Sequence, residues 1–154
     1  HSGRATAYVR LGRFADAVTD YQAAVKLSPR EDQPRLRAAL ATAQLRAGQV
    51  AEAVAEVDGL RKLSGWPPAT YYDFACVYAV GAGKTAGEKQ NHGDRAMELL
   101  AKAVKGGFND HARLNTDTDL DPLRDRDDFK ALVADLERKF PPKREALPPP
   151  RAEK

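Results

Sequence analysis

The strongest constraint on this chain is a segment near its start, residues 5–29, that has the pattern of a helix, a turn and a second helix. Alanine and aromatic residues recur three or four positions apart on both sides of Gly12, which places them on one face of each helix. Gly12 permits the backbone angles of a turn, and Pro29 ends the second helix because its ring clashes with a continuing turn. A hairpin of this size cannot bury both apolar faces alone, so it must stack on further copies.

Two such copies follow. The second begins near Pro34 and has Gly48 in the place of Gly12, whereas the third follows the connector Trp66-Pro67-Pro68 and has a longer turn at residues 81–93. The sequence therefore predicts an all-α domain over residues 1–140, with repeats at 1–30, 33–66 and 69–107 and a capping helix at 125–140. Residues 141–154 contain several prolines and little that can be buried, so we expect a disordered or extended tail.

These repeats resemble the tetratricopeptide repeat family, whose signature is a bulky residue, Leu-Gly and Tyr in the first helix, then Ala, an aromatic residue and a closing Pro. Gln44 replaces the tyrosine and Arg37 the bulky residue in the second copy. The resemblance implies a right-handed superhelical array of about three hairpins that binds proteins. The matching positions are Ala5, Tyr8, Ala17, Tyr21 and Pro29, then Leu40, Ala41, Ala53 and Val57, then Tyr71, Phe74, Ala75, Tyr78, Ala96 and Leu100.

A second resemblance covers residues 69–138, where a YYDFACVYA helix is followed by LNTDTDLDPLRDRDDFKALVADLE. This pairing is similar to the C-terminal ends of certain bacterial serine/threonine protein kinases with repeat-bearing tails, and it implies a place in a larger signalling protein. Within it we expect an acidic loop at residues 109–121 and a last helix capped by Asp125. The kinase's own nucleotide and catalytic motifs are not in this sequence.

Composition narrows the classes of protein further. One cysteine, Cys76, permits no intrachain disulfide and favours a reduced, cytoplasmic setting. The longest apolar run, residues 74–80, is too short to span a membrane. A net charge of +3 without a basic face gives no reason to expect a nucleic-acid partner. The first residues lack an initiator methionine, so we expect a piece of a longer protein.

Several motifs suggest chemistry, but each fails on context. Residues 81–85, GAGKT, resemble the end of a phosphate-binding loop, yet Tyr78 stands where the earlier glycine is required and the segment before it reads as a helix, not a strand. Asp117, Asp119 and Asp121 resemble the start of a calcium loop, but Pro122 replaces the obligatory glycine. Cys76 has no identifiable histidine partner and reads as a packing residue. We therefore expect no catalytic residue, cofactor or metal, and no enzymatic activity.

The candidate site is the concave surface, which the family resemblance places on the first helix of each hairpin. Arginine offers a planar donor fork and tyrosine a large contact area, which suits an acidic or extended peptide. The alternative for each arginine is a simple solvated side chain. The predicted groove residues are Thr6, Arg10, Arg35, Ala38, Thr42, Arg46, Tyr72 and Cys76.

Family members that clamp a peptide carboxylate use asparagines and lysines in this groove, and Thr6, Ala38 and Thr42 do not match that pattern. The sequence predicts a protein-interaction or scaffold module. The alternative is a regulatory region acting in cis on a kinase domain. The proline-rich run at residues 147–151 could dock on an aromatic groove, although it lacks a Pro-x-x-Pro pattern and reads more readily as a linker.

Overall fold

The computed structural model describes residues 1–141, and this part of the chain is all-α, as predicted. Helices α1 and α2, α3 and α4, and α5 and α6 pair as antiparallel hairpins, and α3 packs against both α2 and α5. The result is a stack of hairpins in a tetratricopeptide-like array. The helices are α1 (Ser2–Arg10), α2 (Phe14–Leu27), α3 (Gln33–Arg46), α4 (Val50–Leu60), α5 (Pro68–Lys84), α6 (Lys89–Lys105), α7 (His111–Thr116) and α8 (Asp127–Lys139).

Small residues let the helices approach closely along the stack. The alanines that carry the repeat pattern have no exposed surface, and larger side chains pack around them in two buried clusters. The smaller cluster joins the first hairpin to α3, and the larger one joins the second and third hairpins to the C-terminal helices. The fully buried alanines of the pattern are Ala5, Ala17, Ala41, Ala53, Ala75, Ala96 and Ala103.

The two short turns each depend on a glycine in the left-handed region. Gly12 has a φ of 71° and Gly48 a φ of 80°, and no atom lies within 4 Å of where a Cβ would stand. We expect Gly48→Ala to lower the free energy of unfolding by about 1–2 kcal/mol through backbone strain alone. Urea denaturation checks this against Gly3→Ala, at an exposed helical position with open space around it, which should leave stability unchanged or slightly raised. Equal stabilities for the two variants would contradict the left-handed conformation of Gly48.

The predicted long turn at residues 81–93 is mostly helical. Helix α5 continues to Lys84 and α6 begins at Lys89, with only a 3-10 turn, Ala86–Glu88, between them. Gly81 lies inside α5 where an added Cβ would come within 3.2 Å of Val54 Cγ2. Gly81 therefore allows a longer helix to pass close to its neighbour.

The predicted acidic loop at residues 109–121 is wrong. The segment forms α7 and a 3-10 helix, Thr118–Leu123, because Asp110 and Asp117 cap these short helices by accepting hydrogen bonds from the backbone N–H groups of Arg113 and Asp119. Three leucines of this region are fully buried and join the larger core cluster, namely Leu114, Leu120 and Leu123. Pro122 packs so tightly on α5 that a Cβ added to Gly83 would lie 2.9 Å from Pro122 Cγ.

The last helix begins later than predicted. Asp125 does not cap α8: the N-cap position is Arg126, which makes no side-chain capping bond, and Asp127 and Asp128 occupy the first turn. Acidic side chains there stabilise the helix through its dipole. Of the tail predicted at 141–154, residues 142–154 lie outside the described residues. The helices of residues 1–141 are too short or too polar to cross a bilayer.

Candidate functional site

An open groove lies between α3 and α5, the first helices of the second and third hairpins. Its volume is about 550 Å³. We call it the α3–α5 groove. Its apolar lining consists of Pro34, Ala38, Ala39, Trp66, Pro67 and Phe74, and its polar lining of Glu31, Arg35, Thr42, Thr70 and Asp73. A concave site with an apolar floor and a few polar groups is the kind of surface that binds an extended ligand.

Trp66 forms one wall of this groove and is held rigidly. Its indole Nε1 donates a hydrogen bond to the carbonyl oxygen of Leu60 at 3.0 Å, and its ring meets Phe74 edge to face with a centroid distance of 5.3 Å. Pro67 and Pro68 then start α5, since proline is well suited to the first turn of a helix. The wall is therefore preorganised, which reduces the entropy that a ligand must overcome.

The structure brings three of the predicted groove residues together. Arg35, Ala38 and Thr42 follow one another along α3 and all line the α3–α5 groove. Thr6 and Arg10 are exposed on α1 but do not line it. The hydroxyl of Thr6 is already bonded to Ser2 and lies 3.1 Å from the hydroxyl of Tyr21.

The remaining three predicted residues hold the chain's own acidic segment, residues 117–123. Tyr72 donates its hydroxyl hydrogen to Asp117 Oδ2 at 2.7 Å, and the Cys76 sulfur lies 3.8 Å from the same oxygen. Arg46 pairs with Asp119, with 2.8 Å between Nη2 and Oδ2. Tyr72 is 0% and Cys76 2% exposed, so neither is available to a partner in this structure.

Burial also determines the protonation of these groups. Desolvation raises the pKa of the Tyr72 hydroxyl, and its hydrogen bond to Asp117 raises it further. Burial likewise raises the pKa of the Cys76 thiol, and the nearby Asp117 carboxylate adds to the effect. Both groups therefore stay protonated at neutral pH. A protonated, buried thiol is a packing residue, because the reactive species is the thiolate.

The other motifs gain no chemical role from the structure. Lys84 is the last residue of α5, so the GAGKT stretch lies at a helix C-terminus, whereas phosphate binds at helix N-termini. The carboxylates of the calcium-like motif already have partners: Asp117 caps the 3-10 helix, Asp119 pairs with Arg46, and Asp121 pairs with Arg124. Although ligand atoms of Cys76, Asp117 and Asp119 lie within 4.8 Å of one another, these contacts account for the cluster.

Sequence reasoning missed much of the groove wall. Trp66 and Pro67 were interpreted only as a connector. Thr70 and Asp73 line the groove from the same helix as the buried Tyr72, but they were not among the predicted groove residues. One signal was present, because a lone tryptophan next to two prolines is an unusual choice for a connector that has no further role. The direction of its side chain was not visible in the sequence.

Comparison with known proteins supports the repeat assignment for part of the chain. Residues 8–63 match the family model described as Tetratricopeptide repeat. The match runs from α1 to just beyond α4, and it includes Arg35, Ala38 and Thr42 but not α5. No curated protein and no solved structure matches the chain.

Proposed function

We propose that this chain is a protein-interaction module that binds an extended peptide in the α3–α5 groove. The observation that carries the proposal is the groove itself, a rigid aromatic wall and an apolar floor on the first helices of two adjacent repeats. Tetratricopeptide repeats typically bind protein partners, and six of the residues that line the groove lie in the matched region.

The partner's chemistry follows from the polar lining. Arg35 is exposed at the groove and makes no ion pair within residues 1–141, so its guanidinium can take a carboxylate in a bidentate way. On the same helix, Arg46 already binds a carboxylate of the chain's own acidic segment. A peptide with apolar side chains for the floor and an acidic residue next to them fits this arrangement.

The test is a selection of random peptides on the full chain, followed by affinity measurement on groove variants. We expect peptides of micromolar affinity that carry an acidic residue beside apolar ones, and Arg35→Glu should weaken their binding about tenfold or more, because one charge-assisted contact is lost and replaced by repulsion. Lys26→Glu is the matched control, since it reverses an exposed charge on α2 at a residue that does not line the groove. Equal losses for both variants, or peptides that bind elsewhere by NMR shift mapping, would refute the groove assignment.

The finer predictions from the sequence stay predictions. These are an origin in a larger bacterial signalling protein, a cytoplasmic location and regulation in cis of a kinase domain. Much of the segment that carries the resemblance packs its leucines into the core. A structural role in closing the core accounts for that packing without a kinase. Recovery of the full-length chain is the experiment that directly tests whether a kinase domain is present.

A further inference from the structure

We propose that the chain's own C-terminal segment, residues 142–154, docks in cis on the α3–α5 groove, with residues 147–150, LPPP, on its apolar floor. The proposal rests on the proposed function, because it names a competitor for the same peptide groove. It goes beyond that function by giving the module a built-in occupant that an outside partner must displace.

The end of the described chain is linked to the groove through contacts of α7. The carbonyl oxygen of Phe140 is 2.7 Å from His111 Nε2 at the start of α7. Two positions further along α7, Arg113 Nη2 lies 3.9 Å from Oδ1 of Asp73, which lines the groove. Residues 141–146 span up to about 20 Å when extended, so the following residues can reach the floor.

The groove wall and the segment that follows α6 lie at the same end of the stack. Trp66 and Pro67, just before α5, and Thr70, in its first turn, line the groove, and a Cβ added to Gly106, just after α6, would lie 3.0 Å from Pro68 Cγ. Helix α7 begins a few residues later. The segment that follows α6 therefore starts at the end of the stack where Trp66 and Pro67 line the groove.

The chemistry of residues 147–150 suits the floor. Consecutive prolines favour an extended polyproline conformation before binding, so docking costs little conformational entropy. They also lack N–H donors that burial would leave unsatisfied. Such segments pack on aromatic-lined grooves, and here the half-buried Trp66 supplies the aromatic surface and Pro34 and Ala38 the remainder.

The charges of the groove and of the C-terminal segment also favour docking. The groove lining has two acidic residues, Glu31 and Asp73, against one basic residue, Arg35. The tail has the opposite balance, with Lys143, Arg144, Arg151 and Lys154 against Glu145 and Glu153. Opposite net charges at close range promote docking, and the short tether places the tail at an effective concentration in the millimolar range.

The chain provides its own probe, because Trp66 is its single tryptophan and forms the groove wall. In the full chain, we expect Pro148→Gly/Pro149→Gly/Pro150→Gly to raise the acrylamide quenching constant of Trp66 about 1.5-fold to twofold, as expected if a tethered tail of millimolar affinity covers the groove about half of the time. Ala146→Gly/Ala152→Gly is the matched control, since it adds glycine on both sides of the apolar run and should leave quenching unchanged. Far-UV circular dichroism confirms that each variant keeps the helical fold.

Each outcome decides the proposal. Lower quenching on adding a synthetic peptide of residues 141–154 to the triple-glycine variant supports it. Unchanged quenching in that variant overturns it, while the proposed function stands if selected peptides still bind and depend on Arg35. A quenching difference that grows with protein concentration, together with dimers in sedimentation, places the tail on a second copy and overturns docking in cis.

Discussion

Replacing Leu120 with alanine is expected to lower the free energy of unfolding by about 3 kcal/mol, the cost of removing a fully buried leucine and leaving a cavity. Leu120 lies in the acidic segment, is 0% exposed and belongs to the larger core cluster with α5. The sequence around it, DTDLDPL, gives little hint of this burial. Urea denaturation followed by circular dichroism measures the change.

The matched control is Leu27→Ala, the same substitution at a leucine that is 74% exposed at the end of α2. Its effect should stay within about 0.5 kcal/mol. If the two variants were equally stable, the acidic segment would be a detachable surface layer, and Tyr72 and Cys76 would again be candidates for partner contact. A large difference places the segment in the core and leaves Tyr72 and Cys76 buried beneath it.

The second large effect is expected at Asp117. This carboxylate accepts the hydroxyl hydrogen of Tyr72 through Oδ2 and caps the 3-10 helix by accepting the N–H of Asp119 through Oδ1. Asp117→Ala should lower the free energy of unfolding by about 2–3 kcal/mol, because it removes the cap and leaves a buried hydroxyl unsatisfied. Tyr72→Phe should cost about 1 kcal/mol, and chemical denaturation of both gives the values.

A double-mutant cycle tests the contact itself. Combining Asp117→Ala with Tyr72→Phe should be less damaging than the sum of the two by about 1 kcal/mol, because the unsatisfied hydroxyl is gone. Asp121→Ala is the control within the same segment: its carboxylate is 59% exposed in a surface pair with Arg124, so the change should stay within about 0.5 kcal/mol. Strict additivity in the cycle would mean that Tyr72 and Asp117 do not interact.

Together these variants distinguish the structural role of the acidic segment from the binding role of the groove. Leu120, Asp117 and Tyr72 are not part of the groove lining, whereas Arg35 is. Peptide affinity should therefore fall in Arg35→Glu. It should stay close to wild type in the variants at Leu120, Asp117 and Tyr72 under conditions where they are folded. This division follows from the contacts of α5, which shows one side to the groove and another to the acidic segment.

The repeat hairpins were predictable because they depend on neighbours in sequence. Alanine and aromatic spacing identified the helices, and Gly12, Gly48 and Pro29 identified their ends. The predicted long turn at residues 81–93 was wrong, because the packing that lets α5 continue past Gly81 involves a residue distant in sequence. In the folded chain Gly81 serves close packing against Val54, a residue of another hairpin.

Local pattern was thus sufficient for the all-α stack of hairpins, since helical periodicity and turn chemistry act over a few residues. The location of the open site was not contained in that pattern. Tyr72 and Asp117 are 45 positions apart, yet their contact closes one part of the predicted surface, while the ring of Trp66 forms a wall of the part that stays open. Burial is a property of the whole packed chain, so it decides which side chains of a helix a partner can reach.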